Sequence, residues 1–185
     1  MKFYFAPMEG VTDFIFRQIH HDMFPGVDRY YTPFLSPTSD GRFSSRALRD
    51  VLPERNKGIP VVPQLLTKNS ADFLWAARLL AELGYEEVNL NLGCPSGTVV
   101  AKGKGAGMLA DPDTLARFLE EICEQSPLPI SVKTRLGLKS PEEFPALLNV
   151  FNRFPIAELI VHTRVREDFY RRPAVPEAFH TALES

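Results

Sequence analysis

Cysteine is scarce in this chain. There are two among 185 residues, Cys94 at a loop and Cys123 within a helical pattern. That is too few for a disulfide framework or a cysteine-based metal cluster, so both are expected to be reduced thiols and no metal is expected. Long apolar runs are missing as well: none approaches the roughly 18 residues that a membrane span requires. Met1-Lys2-Phe3-Tyr4-Phe5 runs into Pro7 too soon for a signal peptide, so the expectation is a cytoplasmic chain with no membrane partner. Nor is there an excess of positive charge. Lysine and arginine number 21 against 23 acidic residues, a formal net charge of -2. A protein that coats nucleic acid without preference does so through a broad basic surface that releases counterions, and this composition argues against one. A nucleic-acid partner would need a local basic patch.

What is present describes one globular domain, 44% hydrophobic and 24% charged, with a core of ordinary size. Its most informative stretch is Val88-Asn89-Leu90-Asn91-Leu92-Gly93-Cys94-Pro95-Ser96. Apolar and polar residues alternate over its first half, as in a strand whose two faces meet different surroundings. Gly93 ends the pattern and Pro95, which has no N–H to donate, stops the ladder. Cys94 is thereby held at the C-terminal edge of a strand, where α/β folds bind ligands. Beyond it, Gly97, Gly103, Gly105 and Gly107 alternate with Lys102 and Lys104, and no carboxylate occurs from Val88 to Ala110. Glycines let a backbone approach an anion closely, and the lysines add charge beside it. The spacing is that of neither a Rossmann fold nor a P-loop, and the bland alternative is a flexible surface loop.

Strand and helix patterns alternate along the whole chain. Strands are expected at residues 2–6, 27–34, 59–66, 88–92, 129–134 and 157–162. In the last, Leu159, Ile160 and Val161 are a continuous apolar run, as for a strand buried on both faces. Helices are expected over residues 14–21 with Thr12 or Asp13 as cap, near 46–51, over 71–83 with Ser70 as cap, and from Asp111-Pro112 to about Gln125. Another opens at the capping box Ser140-Pro141-Glu142-Glu143, and a last one covers 177–183. Six such units predict an α/β fold of the (β/α)8 TIM-barrel type, apparently truncated after about six strands, since such barrels usually take about 250 residues. A doubly wound sheet is the alternative.

In a barrel the strand ends form one mouth, and here they carry Glu9, Gln64, Asn91, Cys94, Lys133, Arg135, His162 and Arg164. The set offers a proton donor at Cys94, an amide at Gln64 and cations at Lys133 and His162. A planar heterocycle with carbonyls and ring nitrogens suits it, with the lysine stabilising negative charge that develops on reduction.

Five segments in order, Ala6-Pro7-Met8-Glu9-Gly10-Val11-Thr12-Asp13, Val62-Pro63-Gln64-Leu65, Asn91-Leu92-Gly93-Cys94-Pro95-Ser96, Val132-Lys133-Thr134-Arg135 and Val161-His162-Thr163-Arg164, resemble the motifs of tRNA-dihydrouridine synthases. The resemblance implies an FMN-dependent oxidoreductase that reduces the C5–C6 double bond of uridines in tRNA, with NADPH as reductant. It implies that Cys94 is the general acid, that Pro7, Met8, Glu9, Gln64, Lys133 and His162 hold the flavin, and that Asn91 and Arg135 hold the uracil. Lys102 and Lys104 would contact tRNA, and Arg164, Arg166, Arg171 and Arg172 could extend the basic surface. It also implies that residues 1–185 are the FMN-binding barrel portion, without the family's later strands and C-terminal helical tRNA-binding domain. Two departures touch the motifs: Pro33 follows Thr32 where the family more often has an acid, and Thr163 replaces a usual glycine. Rival readings are a dihydroorotate dehydrogenase-like barrel acting on a free pyrimidine, and a catalytically silent fragment that binds no flavin.

Overall fold

The computed structural model describes residues 1–38 and 40–184. Its strands are short and all parallel: β1 (Tyr4–Phe5), β2 (Arg29–Tyr31), β3 (Val61–Val62), β4 (Gln64–Leu65), β5 (Val88–Leu92), β6 (Ile130–Arg135) and β7 (Glu158–His162). They pair in chain order, β1-β2-β3 and then β4-β5-β6-β7. β3 and β4 are one strand broken by Pro63. Proline cannot donate to the ladder on the β2 side, yet its carbonyl accepts from the Asn89 N–H of β5 at 2.8 Å. The two sheets are rejoined by a parallel bridge between Leu35 and Leu65. The expected third strand, 59–66, is thus present but split, and the first two are shorter than the pattern suggested.

A chain-order sequence of neighbours has no point at which the winding reverses, which removes the doubly wound alternative. Curvature points the same way. Arg29, at the start of β2, reaches Glu87 at 2.8 Å and Glu158 of β7 at 3.2 Å. Tyr31 donates to the same Glu158 at 3.4 Å. β2 and β7 are not neighbours in the sheet, so these bonds cross its concave side, as they do inside a barrel wall. The fold is a partial barrel; among the described residues β1 and β7 do not pair with each other.

Helices α1 (Phe14–Met23), α2 (Ser45–Asp50), α3 (Ser70–Glu82), α4 (Gly97–Val100), α5 (Pro112–Gln125), α6 (Phe144–Phe151) and α7 (Glu177–Leu183) connect the strands. The main core is formed by Val88, Leu90 and Leu92 of β5 and Ile130 and Val132 of β6, with Phe73, Ala77 and Leu80 of α3, Leu115, Leu119 and Ile122 of α5 and Leu147 and Phe151 of α6. The caps are largely those that the sequence indicates. Asp13 accepts from the N–H groups of Ile15 and Phe16, and Asp111 from those of Asp113 and Thr114, ahead of Pro112. At α3 the cap is Asn69 rather than Ser70: its side chain accepts from Asp72 N–H, and Ser70 is the first helical residue.

One expectation fails, and one alternative is removed. β7 is half-exposed along its whole length rather than buried on both faces, because it is a terminal strand of the array with β6 on one side only. The glycine-rich segment is not a loose loop. It winds into α4 and a 3-10 turn, Gly105–Ala110, that buries Ala106, Met108 and Leu109 in the core.

Candidate active site

Register decides which side chains enter the mouth. Asn91 pairs with Lys133 and Lys133 with Ile160; Arg135 pairs with His162 and Asn89 with Ser131. Successive residues of a strand point to opposite faces, so Ser131, Lys133 and Arg135 share the concave face with Asn89, Asn91, Glu158 and His162. One cleft at the C-terminal strand ends is lined by Pro7, Met8, Glu9, Gln64, Asn91, Cys94, Lys133, Arg135 and His162, together with Pro33, Phe34, Gly93, Pro95 and Tyr170. Every strand-end residue singled out from the sequence reaches it except Arg164. Lys102 and Lys104 lie outside it.

A buried polar chain supports the floor. Gln64 Nε2 donates to Asn89 Oδ1 at 2.8 Å, and Asn89 Nδ2 to Ser131 Oγ at 2.8 Å. Asn91 Nδ2 donates to Gln64 Oε1 at 2.7 Å. The other end of Asn91 sets the cysteine: its Oδ1 accepts from the backbone N–H of Gly93 at 3.1 Å and of Cys94 at 2.9 Å. The Cys94 carbonyl accepts from Ala106 N–H at 3.1 Å. Both backbone ends of Cys94 are therefore fixed while its half-buried thiol faces the cleft.

Arg135 is 1% exposed, and its guanidinium is already engaged. It donates to the carbonyls of Gly93 at 2.8 Å, Val165 at 3.0 Å and Phe169 at 3.2 Å. Its Cζ also lies 5.5 Å from the centre of the Tyr170 ring. Arg166 donates to the Pro95 carbonyl at 3.2 Å. The cysteine turn is thus gripped on both sides of Cys94 by arginines that anchor the segment after β7.

Lys133 differs. It has no hydrogen-bond or ion-pair partner among the described residues, and burial, then the nearby Arg135 charge, lowers its ammonium pKa. The imidazole of His162 accepts from Arg164 at 2.9 Å through Nε2, which requires the neutral ring with its proton on Nδ1. Burial, and then the charges of Arg135, Lys133 and Arg164, hold its pKa down at about 4. The cleft thus presents an unpaired ammonium, a neutral imidazole, a carboxamide and a thiol. Among the described residues no group of three or more His, Cys, Asp or Glu side chains is placed to hold a metal ion, and no helix is long and apolar enough to cross a membrane.

Sequence reasoning missed Pro33, Phe34 and Tyr170. The first two follow β2, which ends at Tyr31 rather than within the expected 27–34, and as apolar residues they fell outside a search for polar strand ends. Tyr170 carried no local signal. It is brought in by Phe169, whose φ of 49° turns the chain sharply, and by the Arg135 bond to the Phe169 carbonyl.

Parallel strands wound in one sense, with polar side chains gathered at their C-terminal ends around a cleft, define a partial barrel of the β/α class. Within that class the chain belongs to the dihydrouridine synthase family, whose model matches residues 4–178. It is 32% identical over 170 residues to a probable tRNA-dihydrouridine synthase of Staphylococcus aureus, covering 90% of this chain and 50% of that protein. It is 31% identical over 170 residues to probable tRNA-dihydrouridine synthase 2 of Bacillus subtilis, with 90% and 51% covered. The chain thus spans about half the length of the curated relatives it matches. Among solved structures, the Bacillus cereus spore cortex-lytic enzyme SleL aligns at 8% identity and a TM-score of 0.48, over 88% of this chain and 42% of that one.

Proposed function

We propose that this chain carries the redox site of a tRNA-dihydrouridine synthase, which binds FMN, takes its electrons from NADPH and reduces the C5–C6 double bond of a uridine in tRNA. The single observation that carries the reading is the convergence of Cys94, Gln64, the unpaired Lys133 and neutral His162 in one cleft of a chain from this family. Residues 1–185 are read as the catalytic portion of such an enzyme.

The donor set fits a flavin. Lys133 supplies a cation that makes no ion pair among the described residues, and Gln64 has an N–H left after its bond to Asn89. His162 keeps its Nδ1 proton. Pro7, Met8 and Glu9 form the adjoining wall. FMN, held by these residues, would supply the hydride for one carbon of the double bond. The chain's own groups do the rest. Cys94 Sγ–H gives its proton to C5, so one hydride and one proton saturate the bond, and the thiolate regains its proton from solvent. Holding the thiol still is the task of Asn91, whose Oδ1 accepts from the Gly93 and Cys94 N–H groups, and of Arg135, whose Nε donates to the Gly93 carbonyl while its Nη1 holds Val165 and Phe169. This favours positioning over direct uracil contact as their main role. Arg164 likewise acts through His162, and Lys102 and Lys104 are assigned to the tRNA backbone.

Cys94→Ala tests the reading. The variant is expected to bind FMN as before and to form dihydrouridine in tRNA on the order of 10² to 10⁴ times more slowly, the usual contribution of a general acid. Undiminished turnover would remove Cys94 from the mechanism. A preparation that takes up no flavin would remove the reading of the cleft.

A further inference from the structure

We infer that Lys68 is a phosphate contact for RNA and completes, with Lys102 and Lys104, a three-lysine patch on the rim of the Cys94 cleft. The inference rests on the tRNA reading above and adds the side of the mouth over which the strand runs. Lys68 lies just past β4 in the connection to α3, at the same C-terminal edge of the sheet as the cysteine turn. Its ammonium is 3.5 Å from where a side-chain carbon on Gly103 would sit, and its Cδ is 3.6 Å away. Gly103, at φ +66°, leaves that space free, and it is the residue between Lys102 and Lys104. The fold therefore sets a third cation, remote in sequence, against two that are already adjacent.

None of the three lysines makes an ion pair among the described residues, and there is no acid anywhere from Val88 to Ala110. Arg17 and Arg29 show the contrast: each is held against carboxylates. Like charges brought together without a counter-charge repel, and the arrangement becomes favourable when an anion arrives. Lysine suits a backbone phosphate, because its compact charge on a flexible stem needs no fixed hydrogen-bond geometry.

A cation next to the cleft-lining Tyr170 favours a polymer over a small phosphate ligand. After β7, Arg171 is also exposed and has no ion pair among the described residues. A strand that runs along the mouth meets the lysine patch beside the cysteine turn and Arg171 beside Tyr170, and presents a base to the cleft. A ligand lying within the cleft meets Lys133 instead.

The experiment is tRNA binding by the whole chain, followed by fluorescence anisotropy with an unmodified, end-labelled tRNA transcript across a salt series, for the unaltered protein, Lys68→Glu and Lys68→Arg. Lys68→Glu is expected to weaken binding about tenfold near 0.1 M salt and to lower the log–log salt slope by about 0.7–0.9 per lost contact. Lys68→Arg keeps the charge and is expected to retain both. If the unaltered chain binds tRNA and Lys68→Glu matches it in affinity and slope, the inference is overturned while the tRNA reading stands. Absence of tRNA binding by the unaltered chain overturns both. A Lys68→Glu variant that binds tRNA normally but slows bleaching of bound flavin by NADPH assigns the patch to the dinucleotide and likewise overturns the inference.

Discussion

His162 shows how the cleft sets the state of a single side chain. An imidazole in an unfolded chain titrates near 6.5, whereas here burial and three neighbouring cations hold it at about 4. Between those values the unfolded chain takes up a proton that the folded chain refuses, so stability rises with pH across that window and is lost as pH falls through it. The melting temperature is expected to drop between about pH 7 and about pH 5, and to drop less in His162→Gln. Thermal unfolding of both proteins at the two pH values checks this, and equal drops would assign the acid sensitivity to other groups. The polar strand-end residues of the cleft were legible in the sequence, because strand ends in this architecture converge, whereas Pro33, Phe34 and Tyr170 were not. The bonding of the polar residues was not legible either. That Arg135 is taken up by the carbonyls of Gly93, Val165 and Phe169 depends on segments about 30 or more residues away, and a linear pattern holds no record of that.

At the level of elements, the loop-to-helix joints are held by groups that cannot be changed singly. Arg17 on α1 is 0% exposed and donates to Asp50 Oδ2, the Asp50 and Thr12 carbonyls and Asn56 Oδ1. Asp50 in turn accepts from Phe14 N–H at 2.7 Å, tying α2 to the start of α1. Asp50→Ala leaves a buried guanidinium without its counter-charge and is expected to lower unfolding stability by about 3–5 kcal/mol in urea titration. The glycine turn is equally exacting. A side-chain carbon on Gly107 would stand 2.8 Å from the Val100 carbonyl oxygen, which is backbone and cannot swing aside. Gly107→Ala is expected to cost about 1–3 kcal/mol, and to loosen the turn whose Ala106 N–H holds the Cys94 carbonyl. Urea titration reads the first effect and faster thiol labelling of Cys94 the second. Helix limits were readable because caps are local, as at Asp111-Pro112. The choice of Asn69 over Ser70 was not readable, since both are good caps and only the path of the chain separates them. The burial of the glycine turn likewise awaited the packing of Met108 and Leu109.

For the molecule as a whole, parallel strands with crossover helices were readable from periodicity, whereas the chain-order winding that excludes a doubly wound sheet and the half-exposed β7 were not. A continuous apolar run says that a strand can be covered on both faces, whereas its cover depends on its neighbours. The bonds from Arg29 and Tyr31 to Glu158 have a kinetic consequence. They join groups 129 and 127 residues apart, so the intervening strands must be in place before they can form. Contacts of that range belong late on the folding route, after the main barrier, because their loop entropy is met only when the wall is largely built. Glu158→Gln is therefore expected to speed unfolding while leaving the refolding rate nearly unchanged, a tilt confined to one arm of the chevron and measurable by stopped-flow fluorescence. The brace on the concave face is then a latch that governs how long the folded chain lasts rather than how quickly it is made.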